Sequence, residues 1–274
     1  MNSTRHKYYP TVLQAAHLVV LYIFIQTIVD FPLAVLDYYN NTEYLYNPWK
    51  KIILGVGSIL FILYYGFKKT KNKLLEVFPL RFFNPLILLP IVLFFLAAHI
   101  ILTDVNNYVD KLIPPPPWFW ELFNKIFESD YGWLGAFLKV AIIAPIIEEL
   151  IFRGIIMHGF MRNYPKFLAV FFSALLFALF HLNPWQFPAT FILGLLLGWI
   201  MVRTRNIVLS ILVHAINNFL VLLSITYWAE IHTYPVMLMN RQDLLYTCGL
   251  VIVFSLLLIY LLSIKRNKNR EPGK

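Results

Sequence analysis

Eight long apolar runs divide this chain, at about Thr11–Val29, Ile52–Phe67, Leu86–Leu102, Trp133–Met157, Phe167–His181, Phe187–Val202, Ile207–Tyr227 and Leu244–Ile264. Each is long enough, or nearly so, to cross about 30 Å of hydrocarbon as a helix rising about 1.5 Å per residue. Composition agrees with a membrane setting. Of 274 residues, 59% are hydrophobic and 14% charged, where a soluble domain carries roughly 45–50% and about 25%. The expected fold class is all-α: a polytopic membrane helix bundle of about eight transmembrane helices, that is, a multi-pass integral membrane protein.

The segments between the runs set orientation. Lys68, Lys69, Lys71, Lys73 and Arg81 lie between runs two and three, Arg162 and Lys166 between four and five, and Arg203 and Arg205 between six and seven. Lys265, Arg266, Lys268, Arg270 and Lys274 form the tail. The opposite segments carry Asp37 and Glu43, then Asp104, Asp110, Glu121, Glu128 and Asp130, then Glu230 and Asp243. This alternation places both termini in the cytoplasm, with Lys50 and Lys51 on the wrong side. The net charge of +9 therefore reads as membrane orientation, and no nucleic-acid partner is expected. A single cysteine, Cys248, excludes an internal disulfide and a Cys metal cluster. The first run follows Arg5 and Lys7, is long for a signal-peptide core, and leads into Asp30, Phe31 and Pro32 without a small-residue cleavage site. It reads as a retained span.

Three regions follow: N-terminal spans over 1–130, a helical core over 131–228, and a last span with a basic cytoplasmic tail over 229–274. Leu74–Phe83, apolar and flanked by basic residues, is expected to lie along the interface as an amphipathic elbow. The Thr103–Tyr131 loop carries Pro114 to Pro117, then Trp118, Phe119 and Trp120. Its stiff polyproline and aromatic character predicts a rigid interfacial loop rather than a substrate lid.

Ionisable residues inside spans are costly and point to function. Run four holds Glu148, Glu149 and Arg153; run five ends in His181; run seven holds His214 and Asn218. Glu149 and Arg153, four apart, share a helix face and can pair, while Glu148 lies about 100° around the helix from Glu149. Ser210, His214 and Asn218 share another face. Runs four and five form a hairpin turning near Pro165, with Glu148 17 positions before it and His181 16 after it. Those offsets are roughly 25 and 24 Å along a helix, so an antiparallel pair sets Glu148 and His181 level, unless Gly154 or Gly159 breaks the helix.

These segments resemble the CAAX protease and bacteriocin-processing (CPBP or Abi) family, which includes the Ras-converting CAAX endopeptidase. The motifs are Glu-Glu-x-x-x-Arg at Glu148, Glu149 and Arg153, Phe-x-x-x-His at Phe177 and His181, and His-x-x-x-Asn at His214 and Asn218, in order over about Leu134 to Leu223. The resemblance implies an intramembrane endopeptidase with Glu148 as the base for water and His181 holding that water. It assigns His214 and Asn218 to the oxyanion. Glu149 and Arg153 then form a supporting ion pair. The expected partners are a peptide or protein substrate at the membrane and the lipid bilayer; in a bacterium the expected location is the plasma (inner) membrane. A rival mechanism uses zinc held by Glu148, His181 and His214 with an open fourth position. The spacing matches no standard zinc helix motif, so no required cofactor is the expectation, with zinc as the alternative.

Other polar residues read as structural. His17, His99 and His158 belong to no motif, Asn217 suits interhelical hydrogen bonding, and Gly194 with Gly198 suits close helix packing. Two other functions fit less well: a non-catalytic immunity or scaffold protein, and a transporter. The latter usually shows an inverted repeat, which this sequence lacks.

Overall fold

The computed structural model describes residues 8–42, 44–119, 121, 132–227 and 240–264, and their regular structure is entirely helical. Helix α1, Val12–Asn40, starts at a Thr11 cap. The Thr11 hydroxyl accepts from the Gln14 amide while the Gln14 side chain accepts from the Thr11 N–H, a reciprocal capping box. The helix runs past the expected end at Val29 and through Pro32, stopping where Asn41 turns left-handed. Loss of hydropathy after Val29 therefore does not end the helix. The Asp37 carboxylate organises the turn that follows, accepting from Thr42 Oγ1 and the amides of Tyr44 and Leu45, each at 2.7 Å.

Helix α2, Pro48–Thr70, is capped by Asn47 and ends in Lys68 and Lys69, cations suited to a helix C-terminus. A short helix α3, Leu74–Val77, opens the elbow. Val77 is buried while Leu74, Leu75 and Leu80 are exposed, giving the elbow the two faces expected of it. Helix α4, Leu88–Leu112, extends well beyond the expected Leu102, so the loop after it is shorter than the sequence suggested. Its helical polar residues, Thr103 to Lys111, carry α4 past the apolar run.

The helix expected at Trp133–Met157 is α5, spanning 132–163 as an unbroken but mixed helix. Alpha segments at Gly132–Ala136, Ala144–Glu149 and Met157–Asn163 alternate with π-helical stretches at Phe137–Ile143 and Leu150–Ile156. Neither Gly154 nor Gly159 breaks it. Helix α6, Lys166–Phe180, follows a turn at Tyr164 and Pro165. Its 15 residues cover only about 22 Å. Helices α7 (Phe187–Thr204), α8 (Ile207–Thr226) and α9 (Arg241–Ile264) complete the bundle.

Among the described residues six helices are each long and apolar enough to cross a membrane: α1, α2, α4, α7, α8 and α9. The other two expected spans are α5, which mixes α and π stretches, and α6, a shorter apolar helix. The chain is thus a multi-pass membrane protein built only of helices. Helices α6 and α7 are in close contact where Gly194 faces Ala174 and Gly198 faces Val170, as the small-residue spacing led us to expect. The proline segment is tied to the loop that follows His181. Trp185 Nε1 donates to the Ile113 carbonyl at 2.6 Å, and the Trp185 ring lies 4.4 Å from Phe119. Trp120 and the residues at 122–131 lie outside the described residues.

Candidate active site

Proline at position 145 shapes the first half of the site. In the π stretch before it, Ala144 N–H bonds back to the Lys139 carbonyl. The next donor in that pattern would be the N–H of residue 145, which proline lacks. The Val140 carbonyl is then left to find a partner, and Asn218 of α8 supplies it, with Nδ2 donating at 2.9 Å. The interhelical bond expected of Asn217 is thus made by Asn218. Asn217 Nδ2 donates instead to Asn218 Oδ1 at 3.1 Å, leaving Asn218 one further amide hydrogen.

Glu149 and Arg153 form the inner core of the site. Both are fully buried, and Arg153 Nη1 donates to Glu149 Oε1 at 2.9 Å, as four-residue spacing predicts. Arg153 Nη2 also donates to the Gly194 carbonyl at 3.2 Å, and its guanidinium lies 4.4 Å from the centre of the Phe177 ring. Close approach of α7 at Gly194 is what brings that carbonyl within reach.

His214 joins this core from α8. Its Nδ1 lies 3.0 Å from the same Glu149 Oε1, and its Nε2 lies 3.8 Å from Glu148 Oε2. An ionised carboxylate only accepts, so Nδ1 is the nitrogen that carries hydrogen. Glu148, the residue before Glu149, is 16% exposed where Glu149 is 0% and His214 2%. The expected angular separation of the two glutamates therefore appears as a difference in access.

His181 caps the end of α6, with Nδ1 2.9 Å from the Phe177 carbonyl. Its ring stands edge-on to Phe177 at 5.0 Å, and His214 stands edge-on to the same ring at 5.5 Å. Phe177 is thus the common floor of Arg153, His181 and His214. The sequence marked it only as a motif letter. Tyr22 of α1 is the residue that motif reading missed. It stacks on Phe180 with centroids 5.5 Å apart, and its hydroxyl lies in the field of Glu148. A tyrosine inside a long apolar run carries no spacing signal that would have found it.

The structure brings Glu148, Glu149, Arg153 and His214 into one chain of contacts, with Asn218 one turn further along α8 and His181 across Phe177. Among the described residues no three His, Cys, Asp or Glu side chains are gathered as a metal would require. Glu148, His181 and His214 do not form such a group, with His181 Nδ1 turned to the Phe177 carbonyl and His214 Nδ1 to Glu149, so zinc on these three does not fit.

Residues 130–220 match the family model described as Type II CAAX prenyl endopeptidase Rce1-like. Two relatives come from Lactococcus lactis subsp. lactis (strain IL1403). The UPF0177 protein YajF is 27% identical over 206 residues, covering 70% of this chain and 94% of the relative. The UPF0177 protein YbdI is 26% identical over 224 residues, covering 80% and 95%. No solved structure matches the chain. Over 130–220 the chain is similar to the Rce1-like CAAX prenyl endopeptidases, and all three motifs fall within that stretch.

Proposed function

We propose that this chain is an intramembrane endopeptidase that hydrolyses a peptide bond of a membrane-associated or CAAX-like substrate, in a bacterium at the plasma membrane. The observation that carries the reading is the pairing of a partly exposed carboxylate, Glu148, with His214 Nε2 at 3.8 Å. That gap is too long for a direct hydrogen bond and suits a bridging water. Behind it, Glu149 and Arg153 fix the imidazole from the buried side.

In this mechanism Glu148 takes a proton from water as the water oxygen bonds to the scissile carbonyl carbon. The carbonyl electron pair moves onto oxygen. The second Asn218 amide hydrogen stabilises that oxyanion, and His214 adds a donor at Nε2 when the ring carries hydrogen on both nitrogens. As the C–N bond breaks, Glu148 returns its proton to the leaving amine. His181, held by the Phe177 carbonyl, keeps Nε2 for the water or substrate. The reaction needs no cofactor.

Mass spectrometry of membrane peptides from cells carrying wild type or Glu148→Ala tests the reading. Peptides with new termini should appear only with wild type, while the variant accumulates in the membrane at the same level. Identical peptide sets from the two strains would overturn it.

A further inference from the structure

The elbow after α3 docks on the start of α8. The Pro79 carbonyl accepts from Ile207 N–H at 2.9 Å, and Phe78 lies against Met157, Met201 and Ile207. This contact sets Arg81 of the elbow beside Arg205, whose backbone is left-handed at φ 51°. Burial, and then the like charge of Arg81, hold the Arg205 guanidinium below the usual arginine value. Neither has a carboxylate within ion-pair distance among the described residues. Neighbouring cations on this face are already engaged. Arg162 donates to Asn72 Oδ1 at 2.6 Å and lies 3.9 Å from Glu76. Arg203 donates to Ser263 Oγ at 3.3 Å and stands over the Tyr260 ring.

His158, 7% exposed, lies in the field of Arg162, Glu76 and Arg205, with its ring bonded to the Glu76 backbone. Two neighbouring guanidiniums without a carboxylate partner suit an oxyanion. Leu80 and Phe82, flanking Arg81 in the elbow, are 61% and 68% exposed, an apolar surface next to the cations.

We propose that Arg81 and Arg205 hold the phosphodiester of an anionic phospholipid on the basic face of the protein, with Leu80 and Phe82 in the acyl layer next to it. The shared chemistry is a phosphate oxyanion, and the apolar flank selects the lipid over free phosphate. Phe78 of the same elbow fills the notch at Gly154, so a lipid that pins the elbow also braces the second π stretch of α5.

The test uses the full chain in dodecylmaltoside and reads its thermal midpoint. Dioctanoylphosphatidylglycerol should raise the midpoint saturably, while dioctanoylphosphatidylcholine and sodium phosphate at equal concentration should not. R81Q/R205Q should weaken the apparent affinity about tenfold or more, as expected for losing charge-assisted contacts, and K166Q should leave it unchanged. An equal response in R81Q/R205Q, or equal shifts from phosphatidylcholine, would overturn the proposal. Equal shifts from sodium phosphate would assign the site to a free anion and overturn the lipid. Should R81Q/R205Q fail to fold, native mass spectrometry of the wild type decides: phosphatidylglycerol retained above phosphatidylcholine supports the site, and equal retention ends it.

Discussion

His214 Nδ1 and Arg153 Nη1 meet on a single carboxylate oxygen, Glu149 Oε1, at 3.0 and 2.9 Å. One acceptor thus binds α8 to α5 and fixes which imidazole nitrogen is turned toward Glu148. The two adjacent glutamates divide labour by depth. Glu149 is sealed in protein and holds the others in place, while Glu148 is partly exposed and in the proposed mechanism meets water and substrate. Glu149 Oε2 and Arg153 Nε are buried without partners, so the core depends on this one oxygen.

Glu149→Gln leaves the Arg153 guanidinium buried without a counter-charge. Breaking one member of a buried pair typically costs about 3–5 kcal/mol, so the variant should unfold at markedly lower temperature or denaturant. Replacing both, as Glu149→Leu with Arg153→Met, should restore most of that stability but not proteolysis, because His214 loses its orienting acceptor. Chemical unfolding in detergent, read beside peptide cleavage, separates the two effects. A Glu149→Gln protein as stable as wild type would refute the central ion pair.

Asn218→Ala removes two things at once. The Val140 carbonyl loses its donor, at about 1–3 kcal/mol for a buried unsatisfied group. The oxyanion loses a hydrogen bond whose removal typically slows turnover about 100- to 1000-fold. Asn217→Ala should do neither to that extent, since its donor goes to Asn218 rather than across the helix interface. Measuring kcat and thermal stability for both variants checks this. Equal defects would mean that Asn218 acts only as an interhelical bond.

Much of this was readable from spacing. The i, i+4 relation of Glu149 and Arg153 fixes a shared face whatever the tertiary fold, and Gly194 with Gly198 forecast the α6–α7 contact. What spacing could not reveal came from departures from the regular helix. Pro145 and the π stretches around it free the Val140 carbonyl and give Asn218 a partner that ideal geometry does not predict. Helix ends depart from the ends of the apolar runs for a related reason. Hydropathy marks where lipid stops, whereas α1 and α4 continue as helix through Asp30 and Thr103 until a cap such as Asn41 ends them. Tyr22 reaches the site from a segment distant in sequence, and only packing shows it.

Chelation should leave cleavage intact. His181 Nδ1 is turned to the Phe177 carbonyl and His214 Nδ1 to Glu149, and the remaining donors are not gathered as three ligands. Activity measured after EDTA treatment, with zinc content followed by atomic absorption, should match the untreated protein. Loss of activity that stoichiometric zinc restores would reverse the assignment.

Glycine substitutions give a test of the packing that needs no substrate. A Cβ at Gly194 would sit 2.9 Å from the Ala174 Cα and 3.0 Å from its Cβ, against backbone that cannot rotate aside. Gly194→Ala must therefore push α7 from α6 and carry the Gly194 carbonyl away from Arg153 Nη2, for an overpacking cost of about 1–3 kcal/mol. At Gly57 of α2 an added Cβ meets nothing within 4 Å, so Gly57→Ala should be neutral or stabilising by up to about 1 kcal/mol through helix propensity. Opposite signs are thus expected for the same chemical change in two membrane helices. Thermal midpoints of the two variants in one detergent decide it, and a Gly194→Ala protein as stable as Gly57→Ala would mean that α6 and α7 do not approach as closely as described.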